Sequence, residues 1–158
     1  MWYRVFGLSE TAVAPAALQE ALRMVGRDAP FHVRGDDLGW TAIDVDLAPG
    51  GPPLHLERYL TDADEIRDDL DAWAAWLETR ENEKHNQHLM QHVIGTKQLF
   101  TLRRPLDHLD EREMEMLCET IARALARRTR GVYQIDTRGF FAPDGRLLLR
   151  ESDLQRQP

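Results

Sequence analysis

The sequence predicts an α+β fold in which antiparallel strands pack against amphipathic helices. Short segments rich in β-branched and aromatic residues alternate between apolar and polar positions, as strands with one solvated face do. Longer segments repeat apolar residues every three or four positions, which is the period of a helix that buries one side. Proline, glycine and aspartate separate the two kinds of segment, so the chain divides into short elements joined by turns.

The first 60 residues predict one helix and four strands. Aromatic and β-branched residues at 2–6 indicate an opening strand, and a helix then begins at Pro15 and ends at Gly26. A strand at 31–34 leads through a turn into a second one that begins at Trp40. Alternation along this second strand places Trp40 and the acidic Asp44 and Asp46 on a solvated face. The prolines and glycines at 48–53 end that strand, and a partner strand covers 54–60.

The rest of the chain predicts three helices and further strands. Thr61 is a good N-cap for a helix with acidic residues in its first turn, and Asp110 with Glu113 forms an acidic N-cap arrangement for another. The helix that follows Asp110 has the strongest apolar stripe and closes at Gly131. The other predicted elements are a helix at about 83–94, strands at 98–102 and 132–135, and a hairpin at 140–149.

One domain is predicted for residues 1–158, since this length is close to the usual size of one domain. The order strand, helix, paired strands occurs in residues 1–60 and recurs in residues 97–150. The fold is thus consistent with two β-α-β-β units joined by a helical segment at 61–95. The two halves share little residue identity, so duplication stays an architectural hypothesis.

Composition predicts a cytoplasmic location and no membrane segment. The first residues lack a basic region followed by an apolar one, and no apolar run approaches 20 residues. Cys118 is the only cysteine, so an internal disulfide is excluded and a reducing compartment is expected. Because Cys118 lies on the apolar stripe of its helix, we expect a buried core thiol rather than a nucleophile.

Charge is unevenly distributed along the chain. Residues 1–80 hold 7 Arg against 15 Asp or Glu, whereas residues 120–150 hold 7 Arg against 2 Asp. An acidic first half argues against nucleic-acid binding, which normally needs a basic domain. The segregation favours a protein partner or a homodimer formed through complementary faces, and neutralisation within the molecule explains it equally well.

A first candidate site lies on the solvated face of the 40–60 hairpin. If Leu47 pairs with Leu54, Asp46 stands opposite His55 and Asp44 opposite Glu57. Carboxylates and imidazole suit a divalent metal ion, and adjacent carboxylates can raise one pKa into the range of a general acid or base. The candidate ligands are Asp44, Asp46, His55 and Glu57.

A second candidate metal site is His85, His88 and His92, which share one face of the predicted 83–94 helix. The spacing lacks the glutamate of the HExxH zinc motif, and a polar helix face that titrates near neutral pH is the alternative interpretation.

Two surface features are candidates for partner binding. An arginine cluster, Arg123, Arg127, Arg128 and Arg130, could engage phosphate or carboxylate groups. Trp76 lies at the margin of its helix stripe, so its exposure would indicate an interface, while burial under the next helix is the alternative.

We therefore expect a non-enzymatic binding or protein-interaction module with a segregated acidic and arginine-rich surface. The alternative is a small metal-binding protein or metal-dependent hydrolase that uses the Asp/His/Glu cluster. No cofactor is predicted for the first interpretation, and the second requires a divalent metal.

Overall fold

The computed structural model describes residues 1–80, 86–105 and 110–151. In these ranges eight strands form one antiparallel sheet, with four helices packed against it, so the predicted fold class is confirmed. The strands are β1 (Trp2–Gly7), β2 (Phe31–Asp36), β3 (Gly39–Val45), β4 (Leu54–Leu60), β5 (Gln98–Arg103), β6 (Val132–Ile135), β7 (Gly139–Phe141) and β8 (Leu147–Arg150). The helices are α1 (Pro15–Met24), α2 (Arg67–Glu78), α3 (Asn86–Ile94) and α4 (Glu111–Arg128).

The two halves of the chain meet in the middle of the sheet. The strand order is β2-β3-β4-β5-β1-β6-β7-β8, so β1 lies between β5 and β6. The element order of the first half does recur in the second, as strand, helix and three strands. The positions in the sheet do not recur, because β4 lies beside β5 while its counterpart β8 lies at the sheet edge.

Alternation along each strand builds a core on both faces of the sheet. Tyr3 and Val5 of β1 point to a face that α1 and α4 cover. Phe6 points to the opposite face, where α2 and α3 pack against each other and against Leu99 and Phe140. The second helical layer is short, so it covers only one end of its face. Within the described residues, no helix is long and apolar enough to cross a lipid bilayer.

Helix α2 begins at Arg67, five residues later than a helix capped by Thr61 would begin. Thr61 is not its N-cap, because the Thr61 hydroxyl donates to the Thr96 carbonyl (2.8 Å). The Asp64 carboxylate instead accepts a hydrogen bond from the Leu60 amide (2.6 Å), which closes a turn before the helix. Glu65 then takes a positive φ of 55°, a conformation that cannot continue into a helix. Asp64 and Glu65 therefore lie in the loop before α2, and both are exposed.

The predicted orientation of Trp40 was also wrong. Trp40 is buried and its indole nitrogen donates to the Val13 carbonyl (2.7 Å), whereas Thr41 is exposed. The β2–β3 register shifts between Arg34 and Gly35, so β3 carries one extra residue at this point. Such a bulge reverses the alternation, which turns Trp40 towards the core.

Helix α4 begins as predicted and ends differently. The Asp110 side chain accepts a hydrogen bond from the Glu113 amide (3.0 Å), which confirms the N-cap. Arg130, rather than Gly131, has the left-handed conformation after the helix, with φ of 52°. The predicted 140–149 hairpin is confirmed as β7 and β8, with the turn closed by a hydrogen bond from the Gly145 amide to Ala142.

Candidate functional site

The β3–β4 register differs from the predicted one by two residues. Leu54 pairs with Val45 rather than Leu47, so Asp44 rather than Asp46 stands opposite His55. Strand β3 ends at Val45, and the Asp46 amide after it donates to the Pro30 carbonyl (3.0 Å) on the β2 side. A shift by an even number keeps each side chain on its predicted face. The solvated face is therefore right and the pairing of its residues was wrong.

Three of the four candidate ligands meet in a hydrogen-bonded chain across the hairpin. His55 contacts Asp44 through Nδ1 (2.6 Å) and Glu57 through Nε2 (2.8 Å), and the imidazolium form donates both hydrogen bonds because carboxylates only accept. The Tyr59 hydroxyl donates to the other oxygen of Glu57, and Arg34 donates to Asp44 (3.3 Å). The fourth candidate, Asp46, instead accepts from His32 (2.7 Å).

Hydrogen bonds and charge pairing shift the pKa values of the side chains in this hydrogen-bonded network. The hydrogen bond to Asp44 raises the pKa of His55 above its ordinary value, with a smaller effect from Glu57. Hydrogen bonds from Tyr59 and then His55 lower the pKa of Glu57. Burial, together with the bond to Glu57, raises the pKa of Tyr59 to about 12. His55 is thus stabilised as an imidazolium between two carboxylates.

This arrangement bears on the proposed metal ligands. A metal ion binds an unprotonated ring nitrogen, and both ring nitrogens of His55 face carboxylates that can only accept hydrogen bonds. A metal would therefore displace at least one existing bond. In the described ranges, no group of three or more His, Cys, Asp or Glu side chains has a geometry that could hold a metal ion. Metal binding here stays a prediction.

The histidine face of α3 is only partly described. His85 lies outside the described residues. His88 is exposed, and His92 Nε2 donates to the Phe6 carbonyl (3.0 Å), which ties His92 to the sheet. Burial lowers the pKa of His92, which favours its neutral form.

The arginine cluster is distributed along the C-terminal part of α4 and the turn after it. Arg123 donates to the Asp144 carbonyl (2.7 Å) and so holds the β7–β8 turn. Arg127, Arg128 and Arg130 are exposed. Their use as an anion or partner site remains a prediction.

Trp76 packs against the edge of the core on the α2/α3 face, and Cys118 belongs to the core on the α1/α4 face. Trp76 is half-buried, edge-on to Trp73 (5.6 Å between centroids) and beside Phe140 (6.2 Å). Cys118 is fully buried, as predicted, and burial raises its thiol pKa to about 12.

A cleft on the α2/α3 face was not predicted from the sequence. It has a volume of about 530 Å³ and lies where the short helical layer leaves the sheet uncovered. Strands β1, β4 and β5 form its floor, and α2 with the preceding loop forms its wall. Eleven residues line it: Trp2, Arg4, Glu57, Tyr59, Asp64, Glu65, Ile66, Asp69, Trp73, Leu99 and Thr101.

The register explains why the floor of the cleft is polar. Glu57 of β4 stands opposite Thr101 of β5, which stands opposite Arg4 of β1. The next row, one pleat along, contains Tyr59, Leu99 and Phe6, and this apolar row lies under α2. The alternation of Trp2 and Arg4 with apolar residues could have predicted a polar face on β1 from the sequence. The strands that pair with β1 could not be predicted in this way, since β1 and β5 are almost 100 residues apart in the chain.

Comparison of the chain with protein-family models, with curated proteins and with solved structures found no match. The inferences that follow therefore depend on the geometry and chemistry of the cleft.

Proposed function

We propose that this protein is a non-enzymatic binding module that holds a basic segment of a partner protein in the cleft beside α2. The observation that carries the proposal is the combination of three aromatic side chains, Trp2, Tyr59 and Trp73, with carboxylates in one cavity. Aromatic faces and carboxylates both attract ammonium and guanidinium groups.

The charges within the cleft favour a cation. Arg4 forms an ion pair with Asp136 (2.6 Å) and also donates to Gln134 (2.8 Å). The negative charge of Glu57 is balanced by His55 at 2.8 Å. Asp64, Glu65 and Asp69, here called the rim carboxylates, form no ion pair with any described residue. The cleft therefore has excess negative charge along one edge.

The aromatic side chains already hold cations of the chain itself. The Arg4 guanidinium carbon lies 5.2 Å from the Trp73 ring centroid and 6.0 Å from that of Trp2. The Arg103 guanidinium carbon lies 5.8 Å from the Trp2 ring centroid. Each such contact is worth about 0.5–1 kcal/mol at an exposed site. These contacts with Arg4 and Arg103 support the view that the Trp2 and Trp73 rings suit guanidinium groups.

The surface around the cleft extends the negative field. Residues 62–71 hold six exposed acidic side chains and one arginine, Arg67. Like charges along one rim attract a basic partner over about 8–10 Å at physiological ionic strength and speed its association. This negative field favours, as the ligand, a protein segment with several positive charges rather than a neutral molecule.

A direct test uses three eight-residue peptides of alternating glycine and one other residue, which is lysine, glutamine or glutamate. Isothermal titration should detect binding of the lysine peptide alone, weakening with added salt. Asp69→Asn should reduce its affinity about threefold or more, on the scale of one exposed cation contact. Asp71→Asn is the matched control, because Asp71 is exposed on the same helix and lies outside the cleft.

Two results would contradict the proposal. One is equal binding of the three peptides. The other is an equal loss of affinity in Asp69→Asn and Asp71→Asn, which would reflect the overall charge of the protein instead of the cleft.

A homodimer is the alternative that the charge segregation allows, with a second copy of the chain in the cleft. Sedimentation at low and high salt detects such a dimer. A salt-sensitive dimer that excludes the lysine peptide would assign the cleft to a second copy of the chain. The proposal places this function in the cytoplasm, in keeping with the single buried thiol.

A further inference from the structure

A second, smaller cavity adjoins the cleft. It has a volume of about 260 Å³ and is lined by Asp69, Ala72, Trp73, Trp76 and Glu151. Asp69 and Trp73 line both cavities, so the indole of Trp73 and the carboxylate of Asp69 stand between them. The second cavity repeats the chemistry of the first, because it also combines tryptophan rings with carboxylates.

The wall between the cavities is held in place from the core side. Trp73 packs edge-on against Phe140 (5.8 Å between centroids) and against Phe6 (6.1 Å). Phe140 is fully buried and stacks on Phe6 at 5.8 Å. Because these two contacts and a third with Trp76 (5.6 Å) fix the ring of Trp73, both cavities exist together without a rearrangement of the helix.

The second cavity also has negative charge available for a ligand. Neither Asp69 nor Glu151 has an ion-pair partner in the part of the chain that the structure describes. Glu151 accepts one long hydrogen bond, from Gln134 at 3.4 Å. Arg80 lies 4.5 Å from the centroid of Trp76, which shows that this ring is suited to a guanidinium.

From these observations, and on the basis of the function proposed above, we infer that the partner segment presents two cationic side chains, one in each cavity, on either side of Trp73. Contact at about 3.5–4 Å on both sides of a ring separates the two groups by about 7–8 Å. In an extended peptide, side chains two residues apart point to the same side and are separated by about 7 Å. The recognised element is therefore two lysines or arginines with one residue between them.

The test compares two isomeric peptides of equal charge, Gly-Lys-Gly-Lys-Gly and Gly-Lys-Lys-Gly-Gly, with blocked termini, and Gly-Lys-Gly-Gly-Gly as the one-lysine reference. Titration followed by tryptophan fluorescence should show that the first isomer binds about five- to tenfold more tightly than the second, since adjacent side chains of an extended segment point to opposite sides. Glu151→Gln should abolish this preference by lowering the affinity for the first isomer to about that for the second.

Arg146→Gln serves as a control, because Arg146 is exposed in the β7–β8 turn and lines neither cavity. Equal binding of the isomers, with Asp69→Asn still weakening both, overturns the two-cavity inference and leaves the cleft as a cation site. A preference that survives Glu151→Gln also overturns it. Failure of all lysine peptides to bind overturns the proposed function, and the two-cavity inference with it.

Discussion

The imidazole of His55 lies 2.6 Å from the Asp44 carboxylate of the neighbouring strand, and this contact is the largest cause of the raised pKa of His55. Because the hydrogen bond to Asp44 raises the pKa of His55, an NMR titration should place the pKa above the ordinary value of 6.5. Asp44→Asn should move it downward, whereas Asp71→Asn, which removes a distant charge, should leave it nearly unchanged. A wild-type pKa at or below 6.5 would contradict the observed bonding.

The same contact predicts a pH-dependent contribution to folding stability. Since the pKa of His55 is raised in the folded protein, its contribution is complete below about pH 6.5 and is lost as the pH rises through the folded value. The pKa of Glu57 is lowered, so its contribution is present above about pH 4.5 and is lost as the pH falls through its folded value.

Urea denaturation of wild type and His55→Gln measures this effect. Wild type should be more stable by about 1–2 kcal/mol at pH 5.5, which is the scale of a charged hydrogen bond, and by less at pH 8.5. A larger advantage at pH 8.5 than at pH 5.5 would reverse the predicted sign.

All three tyrosines should ionise at unusually high pH. Burial raises the pKa of Tyr3 and Tyr133, and that of Tyr59 rises to about 12 through burial and its bond to Glu57. An absorbance titration should therefore detect little tyrosinate at pH 10 while circular dichroism shows folded protein. Glu57→Gln should lower the pKa of Tyr59, because the neighbouring negative charge is removed, and should leave the other two unchanged. A normal tyrosine titration near pH 10 in the folded state would refute this prediction.

Local patterns were sufficient to predict most elements of this fold. The apolar stripe and the acidic N-cap of α4, and the proline and glycine of the β7–β8 turn, act within a few residues of each other. The face of the Asp44 and His55 side chains was also predictable, because side-chain direction in a strand has a period of two.

Long-range pairing and loop geometry were not predictable in the same way. The β3–β4 register depends on where the loop at 46–53 leaves the ladder, and the alternation of the two strands allows Leu54 to pair with either Val45 or Leu47 without a change of face. The start of α2 depends on a bond from Thr61 to Thr96, 35 residues away. The cleft combines side chains from three strands, a loop and a helix, so no stretch of sequence contains its pattern.

Helix α2 carries the wall of the cleft, and its attachment to the sheet is testable. Leu70 is fully buried between α2 and the sheet, in the same cluster as Phe6 and Leu99. Leu70→Ala should reduce the free energy of unfolding by about 2–5 kcal/mol, because it leaves a cavity in a packed core. Met116→Ala on α4 is the control, since Met116 is 44% exposed and its loss should change stability by about 0.5 kcal/mol or less. Similar effects of the two substitutions in urea denaturation would show that α2 is not firmly packed.

The N-cap of α4 offers a test of a feature that was predicted from sequence alone. The Asp110 carboxylate accepts a hydrogen bond from the Glu113 amide at 3.0 Å, and it also places a negative charge at the positive end of the helix dipole. Asp110→Ala removes both and should reduce the free energy of unfolding in urea by about 1 kcal/mol. Asp110→Asn keeps the acceptor and removes the charge, so it should recover most of this loss. If Asp110→Asn is as unstable as Asp110→Ala, the charge and not the hydrogen bond stabilises the start of α4; if neither variant loses stability, the cap contributes nothing to the folded state.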